Sequence, residues 1–458
     1  MDGVAEEQNG GLRVVMFPWL AHGHIFPFVE LGKKLSNRNF HIYLCSTQIN
    51  LDSIKDSSDY GDSWIELVEL HLPSLAELPP HYHTTKNIPP HLMPTLMKAF
   101  QMSAPAFSDI ITNLKPHLLI YDGFQPWAAK IAAAQGIPPV LFATSGSTSL
   151  SFFHHQHTHK NWDSFPYEAI RLREHEKRDL IAAAKSIQVE NAAAGDFAFG
   201  IFKLSCDIVL IKSYKGFERK YMDYLSTLCE RKLVPTGPLV AHDDQQTAGL
   251  EIIKWLNQKN PCSTLYISFG SENYLSKDQM VEIAKGLELT HVNFIWVARS
   301  PAGDEAAAFP DGFLERTKEK GMVVRKWAPQ AAILAHGSVG GFMTHCGWSS
   351  ISECIYYGVP VVAVPFKADQ PVNARLAVEA GVGVEVMRDG NGEFDGNGVA
   401  KAINEVFVEE REVFRGRVGE LRKKMKMEEE EAIDEVVKEL WRICMKKSTI
   451  AAQHKIYD

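Results

Sequence analysis

The segment WAPQAAILAHGSVGGFMTHCGWSSISECIYYGVPVVAVPFKADQ, from Trp327 to Gln370, holds side chains whose types and spacing suit the capture of an anion. Its apolar run Gly340–Thr344 reads as a strand, His345-Cys346-Gly347-Trp348 as a tight turn, and Ser349 or Ser350 as the opening of a helix. A glycine-containing turn feeding a helix N-terminus presents unsatisfied N–H groups and the positive end of the macrodipole, so phosphate is a natural guest. The hydroxyls of Ser349 and Ser350 and the ring of His345 stand beside that end as donors, and the Glu353 carboxylate, one turn in, can accept from sugar hydroxyls. A structural reading competes: Ser350-x-x-Glu353 is also a capping box, and spacing alone favours it for that pair.

A second constellation could move a proton. PWLAHGHIFPFVELGKKL (Pro18–Leu35) places His22 and His24 between a strand and a helix. The carboxyl end of a strand in an α/β sheet is where a base would meet a ligand, and an unperturbed imidazole titrates near neutral pH. For a lone histidine there, a turn residue that merely caps the helix is the preferred reading. LLIYDGF puts Asp122 directly after another strand, where it serves either as a helix N-cap or as the carboxylate that orients an imidazole.

The elements that must position these groups are short, β-branched apolar runs between helical patterns, the mark of parallel βαβ units buried on both faces. Strands are expected at Leu12–Phe17, His41–Ser46, Leu118–Tyr121, Val140–Ala143 and Asp207–Ile211. A second set falls at Thr264–Ser268, Phe294–Ala298, Val323–Lys326, Gly340–Thr344, Val361–Val364 and Val382–Val386. VPTGPLVAHDDQQTAG, rich in Pro, Gly and polar residues, reads as a linker. The expected division is an N-terminal domain over 1–238, a linker over 239–250 and a C-terminal domain over 251–458, its last helix a candidate to cross back to the N-terminal domain, with a cleft between two doubly wound α/β domains. Residues Asn161–Gly200 read as peripheral helices or a mobile loop, alanine triplets such as Ala182–Ala184 as good helix formers, and Met427–Leu440 as a solvated amphipathic helix.

Composition narrows the function. A chain of 458 residues exceeds one core, and 45% hydrophobic with 23% charged residues is ordinary for a globular protein. The formal charge of −8 leaves no basic footprint for nucleic acid. Seven scattered cysteines with no C-x-x-C pair read as reduced, intracellular thiols, and the acidic, polar start is the opposite of a secretory leader. With no apolar run long enough to span a bilayer, the expectation is a cytoplasmic protein without stable membrane insertion. HHQHTHK (His154–Lys160) lacks acidic or cysteine partners at metal-ligand spacing and reads as pocket lining, so no metal site is expected. Missing G-x-G-x-x-G, Walker and G-x-S-x-G patterns disfavour a nicotinamide oxidoreductase, a nucleoside triphosphatase and an α/β-hydrolase.

Trp327–Gln370 resembles, along its whole length and without a gap, the signature box of plant family 1 UDP-glycosyltransferases: W-A-P-Q, H-C-G-W, the helix Ser and Glu, and the closing D-Q all match. The resemblance extends over nearly the full chain. It implies the GT-B fold, two Rossmann-like α/β domains with the acceptor held mostly by the first and the UDP-sugar by the second. It assigns Trp327 to stacking on uracil, Ala328 and Gln330 to flanking the uridine, and Glu353 to the ribose hydroxyls. His345, Ser349 and Ser350 would hold the diphosphate, Trp348 would line the pocket, and Asp369 and Gln370 would bind the transferred sugar. Ser271, in SFGS, matches a further phosphate contact, and the closing Gln resembles glucose-preferring members. Gly23-His24-x-x-Pro27 matches the family's base motif, which turns the reading of His24 toward catalysis, and Asp122 matches its catalytic partner; His22 stays pocket lining.

One departure informs the acceptor. Position 349 is Ser where many members carry Asn, and W-S-S with F-G-S-E (Phe269–Glu272) resembles the branch that adds a sugar to glycosides of flavonoids or terpenoids. The resemblance thus implies a monomeric, inverting enzyme that moves glucose from UDP-glucose to a glycoside hydroxyl, with no metal or cofactor. An aglycone glucosyltransferase, a non-catalytic sugar-nucleotide-binding protein and a His-Asp hydrolase are the alternatives. The second has no need of His24 and Asp122, and the third none of the nucleotide box.

Overall fold

The computed structural model describes residues 11–55, 65–86, 88–186, 201–240, 249–270, 273–299 and 309–457. The chain groups into two compact units: Met1–His157 with Gln188–Ala241 and Met427–Asp458, and Thr158–Ile187 with His242–Lys426.

The first unit is built on strands β1 (Leu12–Phe17), β2 (Phe40–Ser46), β3 (Ile65–Glu69), β4 (Leu118–Tyr121), β5 (Pro139–Ala143), β6 (Ile208–Ile211) and β7 (Lys232–Pro235). They pair in parallel in the order β3-β2-β1-β4-β5-β6-β7. Alternate residues feed opposite cores. Val15, Phe17, Leu119, Tyr121 and Leu141 join Phe100 and Phe107 on one face; Val14, Met16, Leu118, Ile120 and Phe142 join Phe28 on the other. Burial on both sides is why these strands read as continuous apolar runs. The C-terminal helix Arg411–Tyr457 adds Ile433, Val436, Leu440 and Ile443 to the second core, a helical repeat of three and four that turns one stripe inward. Lys34–Glu429 at 2.8 Å and Lys232–Glu439 at 2.9 Å flank that stripe.

The second unit holds β8 (Thr264–Ser268), β9 (Asn293–Val297), β10 (Gly321–Val324), β11 (Val339–Thr344), β12 (Val361–Ala363) and β13 (Gly383–Glu385). All pair in parallel, in the order β10-β9-β8-β11-β12-β13.

Strand order reverses between β1 and β4 in one sheet and between β8 and β11 in the other. At such a point neighbouring connections leave in opposite directions and open a crevice beyond the carboxyl ends of the strands. His24 and Asp122 follow β1 and β4, and His345 follows β11, so both sequence constellations fall at switch points.

The expected strands are present with ends shifted by up to two residues, and β3 and β7 are additional. Both additions are sheet edges. IELVE exposes part of its length and KLVP is four residues ending in Pro235, so neither carries the apolar density of an interior strand. Ala182–Ala184 lie in the helix Glu174–Ser186, and residues 187–200 are outside the described residues.

Candidate active site

In the first unit His24 sits on the opening turn of the helix His22–Ser36. Its Nδ1 is 2.7 Å from Asp122 Oδ2, across a sequence gap that the pairing of β1 with β4 closes. Asp122 is 2% exposed, and its Oδ1 accepts the Phe124 N–H at 3.2 Å, which fixes the carboxylate plane. A carboxylate facing Nδ1 holds the proton there and leaves Nε2 as the basic nitrogen. Phe124 meets the imidazole edge-on at 5.3 Å and stacks on Trp19 at 5.2 Å, so the base stands against an aromatic wall. His22 is half-buried and meets the ring of Phe26 edge-on at 5.2 Å.

Sequence reasoning missed Thr144. It follows β5, next to β4, and its Oγ1 lies 3.0 Å from the same His24 Nδ1. The signal was a hydroxyl at a third neighbouring strand end, but TSGSTS offers several and only the sheet register selects one.

In the second unit the helix Trp348–Tyr357 begins at Gly347, with no side chain capping it. The capping-box reading of Ser350 and Glu353 therefore gives way: Ser350 is already the third helical residue. Glu353 instead accepts from Gln330 Nε2 at 2.6 Å, and Gln330 Oε1 accepts from the buried Tyr266 hydroxyl at 3.3 Å. The ribose-assigned carboxylate thus rests on a chain of hydrogen bonds rooted in β8, another contact the sequence did not reveal. Trp327 is 58% exposed and presents an open ring, whereas Ala328 and Trp348 are buried.

His345 is held between two glycines. A Cβ on Gly347 would come within 2.5 Å of its Nε2, and one on Gly270 within 2.8 Å of its Cε1. Gly270 also has φ +77°, a left-handed conformation that costs glycine little. Burial, then the charge of Lys367, lowers the His345 pKa to about 4, so near neutral pH the ring offers a hydrogen bond and no charge. Gly347→Ala must displace this ring, and overpacking of this kind costs about 1–3 kcal/mol. Calorimetric titration with UDP should show about tenfold weaker binding; unchanged affinity would mean that the ring has room to move.

The helix Gln370–Glu379 starts from Asp369. Gln370 Oε1 accepts the N–H groups of Phe366 at 3.0 Å and Lys367 at 3.1 Å, which turns its amide NH2 outward as a donor. Asn373 Nδ2 bridges Asp369 Oδ2 and Cys346 O, both at 3.0 Å, and so ties this helix start to the turn after β11. Ser271 lies outside the described residues. Among the described residues no three His, Cys, Asp or Glu side chains group to hold a metal.

Residues 241–422 match the family model "UDP-glucoronosyl and UDP-glucosyl transferase", and residues 11–199 match "Glycosyltransferase, N-terminal domain". A mogroside IIIx synthase of Siraitia grosvenorii is 49% identical over 93% of this chain and 96% of its own length. The chain belongs to the plant family 1 UDP-glycosyltransferases. A beta-D-glucosyl crocetin beta-1,6-glucosyltransferase of Gardenia jasminoides is 46% identical over 92% of this chain and 96% of its own. The crystal structure of Glycyrrhiza uralensis UGT73P12 complexed with glycyrrhetinic acid 3-O-monoglucuronide covers 98% of this chain and 99% of its own with a TM-score of 0.85. At 23% identity that likeness is one of fold, the GT-B fold. Membership makes the protein an enzyme with a UDP-sugar donor.

Proposed function

We propose that this UDP-glycosyltransferase moves glucose from UDP-glucose, with inversion, onto a sugar hydroxyl of a small terpenoid or flavonoid glycoside. The observation that carries the reading is the His24–Asp122 pair at 2.7 Å beside a switch point, in a chain that also holds the complete nucleotide box. A binding protein has no use for the first, and a hydrolase has none for the second.

In this mechanism His24 Nε2 takes the proton of the acceptor hydroxyl as its oxygen attacks the anomeric carbon of the α-linked donor. The bond from that carbon to the phosphate oxygen breaks, and UDP leaves with the electron pair. Asp122 holds the tautomer and stabilises the imidazolium. Charge developing on UDP is met by the N-terminus of Trp348–Tyr357, by Ser349 and Ser350, and by a hydrogen bond from His345. Trp327 stacks on uracil, Ala328 and Gln330 flank the uridine, Glu353 binds the ribose, and Asp369 and Gln370 hold the sugar, with Trp348 lining the pocket. The product is a β-glucoside, and the scheme calls for no metal or cofactor.

Support for a glycoside acceptor comes from Ser349 and from the relatives: one is named for transfer to beta-D-glucosyl crocetin, another for making a mogroside. A monomer in the cytoplasm fits the family resemblance and the seven free cysteines. Among the described residues no helix is long and apolar enough to cross a membrane.

UDP release with UDP-glucose and paired aglycones and monoglucosides tests the reading. Extension of the glucosides at least about tenfold faster than the aglycones is expected. Preference for bare aglycones sinks the acceptor assignment, and release independent of any acceptor sinks transfer itself.

A further inference from the structure

Beyond the residues assigned to the donor, the second unit buries a set of alternating charges. Arg375, on the helix Gln370–Glu379, donates through Nη2 to both carboxylate oxygens of Glu176 at 2.7 and 2.8 Å. Its Nη1 reaches Glu385, at the end of β13, at 2.8 Å and the Pro371 carbonyl at 3.3 Å. Arg173 closes the ring with Glu385 at 2.6 Å, and its own N–H is accepted by Glu176 at 2.6 Å. The side chains of Glu176 and Glu385 are 6% exposed and that of Arg375 is 10%. Beside them Arg388 donates to the carbonyls of Pro365 and Gly392 at 2.7 Å each, and His175 packs over Gly392.

Burying such a network is costly, and apolar replacements of equal volume often stabilise a fold as well or better. What the ions supply is register: Arg375, bound to Glu176 through Nη2 and to Glu385 through Nη1, has the place and plane of its guanidinium fixed from two sides. The register fixed here is that of the helix start. Arg375 stands five positions after Gln370, about 7.5 Å along the axis, and the Pro371 carbonyl held by Arg375 lies in the same turn as Gln370. Arg388 holds the other side, since the loop whose Phe366 and Lys367 N–H groups orient Gln370 begins at Pro365.

We propose that Glu176 and Arg375 are positioning residues for the donor sugar, through which the segment Thr158–Ile187 sets the place and orientation of Asp369 and Gln370. The proposal rests on the reading of those two residues as the sugar contacts. It predicts a split: the sugar contacts stand on the helix start the network holds and lose most, while the nucleotide, coupled to that helix only through the Asn373 bridge to Cys346, loses little.

The test uses the full-length enzyme with Glu176→Gln and Arg375→Lys, which keep size or charge but lose the two-sided clamp, and Gln370→Ala in parallel. KM for UDP-glucose should rise about tenfold in each network variant, with the inhibition constant of UDP within about twofold. Hydrogen exchange of amides 370–379 should quicken relative to the other helices of the unit. Equal losses for UDP and UDP-glucose, or unchanged exchange at 370–379, overturn the proposal. If Gln370→Ala shows no sugar-specific loss, the sugar-contact reading falls instead, and exchange alone then decides whether the network positions the helix. A variant that unfolds below the assay temperature is replaced by Glu385→Gln, which breaks the same ring from the sheet side and must give the same split.

Discussion

Replacing His24 with alanine will lower kcat for glucosyl transfer by about 10²–10⁴-fold, the range that a well-placed general base supplies. KM for UDP-glucose should stay within about twofold, because the donor-assigned residues stand on another sheet. The imidazole is the basic group at the β1–β4 switch point whose tautomer is set by a buried carboxylate at 2.7 Å. Truncation deletes that group while leaving Asp122 its bond from the Phe124 N–H. The fold should tolerate the change: the His24 side chain is 24% exposed and contributes little to either apolar core. UDP release measured at saturating donor, together with a melting curve, separates loss of chemistry from loss of structure. A variant that keeps more than about a tenth of kcat would remove His24 as the base and turn the search to another group near the acceptor hydroxyl.

How much of this was legible follows from how local each signal is. The nucleotide box is a single stretch from strand to helix, so turn, N-terminus and hydroxyls could be placed from Trp327–Gln370 alone. Asp122 was readable because it directly follows a strong interior strand, and His24 because it stands on the opening turn of the helix after one. Thr144 was not: its role depends on β5 lying beside β4, a fact of register rather than of residue type. Glu353 illustrates the opposite case, since a local pattern suggested a cap, but Gln330, itself held by Tyr266, claims the carboxylate from outside the helix. The charged stretch around Arg173 and Glu176 read as peripheral because its partners Arg375 and Glu385 lie roughly two hundred residues on. Charge in sequence reads as surface unless the countercharge is also in view. The edge strands β3 and β7 escaped for want of apolar density.

Asp122→Asn should lower kcat almost as far as removing His24, by about 10²–10⁴-fold, although it alters a single atom. The geometry says which way the amide will sit. Asp122 Oδ1 accepts the Phe124 N–H, so the amide oxygen takes that place and the NH2 takes the place of Oδ2, 2.7 Å from His24 Nδ1. A donor facing Nδ1 makes that nitrogen the acceptor and moves the ring proton to Nε2, where it blocks uptake of the acceptor proton. The opposite tautomer would set two N–H groups against each other beside a residue that is 2% exposed. Thr144 supplies a partial escape, because its hydroxyl lies 3.0 Å from the same nitrogen and can accept the proton if the ring tilts away from the amide. Thr144→Val should therefore cost little in the wild type and more in Asp122→Asn, a coupling that a double-mutant cycle on kcat reads directly. Additive effects would assign tautomer control to Asp122 alone. A near-normal kcat for Asp122→Asn would show that carboxylate charge and tautomer control are both dispensable, which the dyad cannot survive as a mechanism.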